Sequence, residues 1–85
     1  MSKINVYCHE GKVLRYEEVT EDMEISYYAV PSGIFRLVES YGDVDSSLLT
    51  EAQLPEKFKG LFGAEKNTLE GKFSDCEVSI IELTQ

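Results

Sequence analysis

Residues 24–41 read EISYYAVPSGIFRLVESY, two runs of β-branched and aromatic residues hinged on Pro31-Ser32-Gly33. Proline presets φ at the second position of a tight turn and glycine suits the fourth, so the runs fold back on each other. Glu24 to Val30 and Ile34 to Tyr41 are therefore expected as the arms of an antiparallel hairpin, since a short turn cannot span the crossover that parallel strands need. In the second arm Phe35, Leu37 and Tyr41 fall on one face, and Arg36 and Ser40 on the other.

The same logic extends towards the N-terminus. Thr20-Glu21-Asp22 is a polar break before this hairpin, and Val13 to Thr20 (VLRYEEVT) is another strand-like run. Before it, Ile4, Val6 and Cys8 alternate with Asn5, Tyr7 and His9, the period of two that buries one sheet face. His9-Glu10-Gly11-Lys12 supplies the turn between them.

After Gly42 the pattern changes. Asp43-Val44-Asp45-Ser46-Ser47 reads as a polar link. Leu54, Phe58, Leu61 and Phe62 then follow the spacing of one helix face, with Pro55 in the first turn and Gly63 at the exit. Gly60 weakens this helix, Thr50 with Gln53 forms a capping box for a turn ahead of it, and Pro55 prevents the two from merging. The tail returns to strand at Glu77 to Leu83, where Val78 and Ile80 alternate but Ile81 and Leu83 fall on the opposite face. That reads as a central strand or a bulged one. Ser74-Asp75 bounds it. Glu-Gly-Lys at 10–12 and 70–72 reads as two similar turns and not as a repeat.

The expected fold is one α+β domain. It is a mostly antiparallel sheet of about five strands, with a half-open barrel as a variant. One short helix at 55–62 packs on one face and the other face stays wet and acidic. At 85 residues with 42% hydrophobic content, the chain has apolar material for one core. Two cysteines, Cys8 and Cys76, are too few for a disulfide scaffold, so reduced buried thiols are expected, side by side if the first and last strands are neighbours. Met1 to Cys8 lacks the apolar core of a signal peptide and no run reaches membrane-spanning length, so the expected compartment is the cytoplasm.

Motifs for chemistry fail one after another. Cys8 and His9 are strand neighbours and point to opposite faces, which defeats a Cys–His dyad. Three Cys and His residues in all are too few for a zinc site. Asp43-Val44-Asp45 opens like a calcium loop, but leucines stand at the glycine and glutamate positions, 48 and 54. The six glycines form no phosphate-binding loop. The chain reads as a non-enzyme without metal or cofactor.

Charge is the distinctive feature. The net charge is −8, and all of it falls in residues 10–56, where eleven acids face three bases. Such a chain repels nucleic acid and anionic membranes and attracts basic protein surfaces. Tyr16 to Glu24 (YEEVTEDME) holds five acids in nine residues. Carboxylates roughly 5–7 Å apart on a hairpin at a sheet edge approximate the spacing of phosphates along a nucleic-acid strand. The expected partner-binding residues are therefore Tyr16, Glu17, Glu18, Glu21, Asp22, Glu24 and Tyr28. The expected function is to inhibit or modulate a basic protein, of the nucleic-acid-handling or defence type, as phage-like inhibitors do. The alternatives are a plain solvated acidic face, or an accessory subunit that pairs sheet edges or forms a homodimer.

Overall fold

The computed structural model describes residues 2–69, 72–73 and 76–83. Five strands form a meander: β1 (Lys3–His9), β2 (Lys12–Val19), β3 (Glu24–Val30), β4 (Gly33–Ser40) and β5 (Asp43–Leu49). A long crossover leads to β6 (Glu77–Glu82), and the six strands make one sheet in the order β5-β4-β3-β2-β1-β6. The hairpins at Glu10-Gly11 and Tyr41-Gly42 have both central residues at positive φ, as a two-residue turn that matches strand twist demands. The Pro31-Ser32 turn closes directly on the Val30↔Gly33 pair, and its strands are the expected ones.

Several expectations need correction. Asp43 to Ser47 is not a link but most of β5, paired with β4 from Ser40↔Asp43 to Ile34↔Leu49. Ser and Asp are poor strand formers, and the strand exists because β4 offers it a ladder while Leu49 packs against the core. The helix at 55–62 is absent. The crossover holds only single 3₁₀ turns, Glu51–Gln53, Glu56–Phe58 and Lys66–Leu69. Pro55 begins the second of these and Gly60, at φ 74°, follows its end, so no second turn propagates. Gln53 Oε1 does accept the Thr50 N–H at 2.8 Å, the contact expected of a capping box. Finally, β6 is neither central nor antiparallel. It is an edge strand parallel to β1, and the segment between β5 and β6 is the crossover that parallel pairing requires. β5 and β6 are the two edges, so among the described residues the sheet does not close on itself.

Although not helical, the crossover places Leu54, Phe58 and Leu61 where their spacing directed them. They join Leu69 and Phe73 to cover one sheet face, burying Ile4, Val6, Cys8, Val13, Tyr16, Tyr27 and Ile34. Tyr16 stacks on Tyr27 at 5.0 Å between ring centroids, with Phe58 and Phe62 each 4.9 Å away. The crossover also completes β2. β3 pairs with β2 only from Arg15 to Val19. Beyond that, the Val13 N–H donates to the Ala64 carbonyl at 2.9 Å and the Lys66 N–H donates to the Gly11 carbonyl at 2.8 Å. The buried backbone is thus satisfied where β3 has turned away.

Cys8 and Cys76 are not side by side. Parallel register sets Cys8 opposite Glu82, while the Cys76 thiol lies 3.1 Å from the Ser2 hydroxyl. Six strand positions, about 20 Å, separate the thiols. Burial pushes the Cys8 thiol pKa up. Glu70, Gly71, Ser74 and Asp75, which carry the second Glu-Gly-Lys and the boundary before the last strand, lie outside the described residues. Among the described residues no helix is long and apolar enough to cross a membrane.

Candidate protein-interaction face

Because side chains alternate along each strand, the meander has a second face that the crossover leaves uncovered. Strand register sorts most of this face into three rows that cross all six strands, with His9 opposite Lys12 beyond them. The first is Leu48–Phe35–Tyr28–Arg15–Tyr7–Ile81. It is apolar and aromatic except for Arg15, whose guanidinium carbon lies 4.2 Å from the Tyr7 ring centroid and 5.7 Å from that of Tyr28. Tyr28 in turn meets Phe35 at 6.4 Å. Leu48 is 54% exposed and Ile81 37%.

A β-bulge creates this row. Tyr7 pairs with Arg15 but Cys8 pairs with Val13, so Leu14 is the extra residue. Without it, Val13 and Arg15 would share a face. With it, Val13 enters the core and Arg15 emerges between two tyrosines.

The second row is mostly polar, with Leu37 its one apolar member: Ser46, Leu37, Ser26, Glu17, Asn5 and Ser79. Glu17 Oε1 accepts from Asn5 Nδ2 at 2.9 Å and from the Tyr7 hydroxyl at 3.0 Å. Partial burial, with this bond to a carboxylate, raises the Tyr7 pKa.

The third row is Val44–Glu39–Glu24–Val19–Lys3–Glu77. Glu24 and Glu39 stand directly opposite each other, an arrangement that destabilises a sheet when nothing neutralises it. Beyond them the β2–β3 and β4–β5 turns frame a notch of about 370 Å³, lined by Glu21, Asp22, Met23, Tyr41 and Asp43 among others. The Tyr41 hydroxyl donates to Asp22 Oδ1 at 2.8 Å and the Ser40 hydroxyl donates to the Asp22 carbonyl at 3.1 Å, which ties the two turns together. Among the described residues, Glu21, Asp22, Glu24, Glu39 and Asp43 make no ion pair; Lys3, the one lysine in this row, pairs with Glu77 at 3.9 Å.

The residues expected to bind a partner do not all lie together. Tyr16 is 1% exposed and belongs to the core, so it cannot anchor a partner. Glu18 points to the packed face and pairs with Lys57 at 2.8 Å, a bond that raises the Lys57 pKa. Glu17, Glu24 and Tyr28 lie on the uncovered face, and Glu21 and Asp22 in the turn at its end. The β2–β3 hairpin also sits inside the sheet and not at its edge. Its carboxylates point in three directions and form no evenly spaced line. Sequence reasoning missed Arg15, Tyr7, Phe35, Leu48, Glu39, Tyr41 and Asp43. The alternation of β1 and β4 already marked Tyr7 and Phe35 as lying off the buried face, but joining them needed the strand order and the bulge.

No protein family, curated protein or solved structure matches the chain.

Proposed function

We propose that the chain is a small acidic protein-binding domain that inhibits or modulates a basic protein, using the acidic end of its uncovered sheet face. The observation that carries this reading is the cross-strand Glu24–Glu39 pair, which makes no ion pair among the described residues and opens onto a turn cluster of acids that likewise make none. A pair that costs the free protein stability is relieved by lysine or arginine from a partner. Proteins that handle nucleic acids, or that act in defence against them, carry cationic surfaces of this kind and are the natural class of target.

Capture from lysate at low salt, elution with rising salt and mass spectrometry of the eluate test this. Basic proteins are expected to elute from the wild-type chain, and to be missing when Glu24→Lys and Glu39→Lys are combined. Equal capture by the reversed-charge chain would refute the reading.

A second reading has its own observation. The outer edge of β5 is unpaired among the described residues, and an unpaired edge is a template for another strand. An accessory subunit joined this way would associate independently of salt.

A further inference from the structure

We infer that the docking surface extends from the acidic end across the Leu48–Phe35–Tyr28–Arg15–Tyr7–Ile81 row, and that its occupant is an amphipathic helix of a basic partner protein. This rests on the function proposed above and specifies the partner.

The inference starts from dimensions. Five strand spacings of about 4.8 Å make the row about 24 Å long, which matches a helix of about 16 residues lying across the strands. Arg15 is tied into the row by its neighbours: its guanidinium carbon lies over the Tyr7 ring at 4.2 Å and 5.7 Å from the Tyr28 ring centroid. Leu48 and Ile81 remain exposed at its two ends. On one flank the second row offers mostly small polar side chains, which leave room for the body of a helix.

Charge complementarity then chooses the occupant. The acids of the third row lie about 14 Å from the apolar row, two same-face steps along the strands. That offset is within reach of Lys or Arg on one flank of a helix whose leucine-like stripe rests on the apolar row. Among the described residues no free cation stands beside these acids: Lys3 is paired with Glu77, Arg15 lies against the tyrosines, and Lys12, opposite His9, is on the far side of the apolar row. A second copy of a chain with net charge −8 is repelled by these acids, and so is an anionic membrane.

The probe is a synthetic helical peptide of about 16 residues, with leucine along one side and lysine on one flank, beside a scrambled peptide of the same composition. Titration is followed by calorimetry and by amide chemical shifts. The wild-type chain is expected to bind the amphipathic peptide at least about tenfold more tightly than the scrambled one. Shifts should fall on the uncovered face. Leu48→Ser with Ile81→Ser, both at exposed positions that leave the core intact, should erase the preference while the melting temperature holds. Glu24→Lys with Glu39→Lys should weaken both peptides and flatten the salt dependence.

If both peptides bind alike and respond only to charge reversal, the inference fails while the proposed function stands. If charge reversal changes nothing, or neither peptide binds, both fail. A dimer in sedimentation that Leu48→Ser with Ile81→Ser dissolves makes the occupant a second copy, and also overturns the inference.

Discussion

An added Cβ at Gly33 would lie 2.7 Å from the Leu49 carbonyl oxygen, and the residue's φ of +149° suits glycine alone. Gly33→Ala must therefore push β5 away from β4 or distort the turn. The expected loss is about 1–3 kcal/mol, measured by urea unfolding. A neutral result would mean that β5 packs less closely than described. Tyr16 makes the opposite case. Its hydroxyl is buried and has no hydrogen-bond partner among the described residues, and such a group costs about 1–3 kcal/mol. Tyr16→Phe is expected to leave stability unchanged or raise it by about 1 kcal/mol. Burial holds the Tyr16 phenol neutral well above the ordinary tyrosine pKa of 10.0, and it raises Tyr27 likewise. The folded state therefore keeps protons that the unfolded state releases above pH 10, and stability must fall as pH rises past that point. Tyr16→Phe should make that fall shallower.

The crossover is the element with least structure of its own. Its 3₁₀ turns carry almost no intrinsic stability, so the side chains it buries hold it in place. Phe58 is fully buried among Tyr16, Tyr27 and Phe73. Phe58→Ala is expected to cost about 3–5 kcal/mol and to make the crossover the first site of limited proteolysis. First cleavage within the meander would contradict this. What the sequence reveals divides along the same boundary. β1 to β4 are legible because alternation and turn residues are local signals. The buried set Leu54, Phe58 and Leu61 is legible from spacing even though its helix is not, because burial follows the spacing while helix length follows Pro55 and Gly60. β5 is not legible, since a Ser- and Asp-rich strand depends on the neighbour it pairs with. Nor is the proposed interaction face, where Arg15 joins Tyr7 and Tyr28 only through a one-residue bulge at Leu14.

For the whole molecule, the charge balance sets the response to salt. The acids at the end of the sheet lack counter-charges among the described residues, so screening should relieve their repulsion. Raising ionic strength from about 0.01 M to about 0.15 M shortens the Debye length from about 30 Å to about 8 Å. The melting temperature of the free chain is expected to rise by a few degrees over that range. Unchanged melting would show that the acids do not repel one another appreciably.

The position of the crossover in the chain matters in another way. On a translating ribosome all five meander strands emerge before Phe58, Leu61, Leu69 and Phe73 do, leaving Val6, Tyr16 and Tyr27 bare for a time. A half-made sheet with one greasy side is the kind of species that sticks to its neighbour on the same messenger RNA. All eleven acids of residues 10–56 precede Phe58 and nine of them emerge with the meander itself, so like charge keeps adjacent nascent chains apart until the missing side chains arrive.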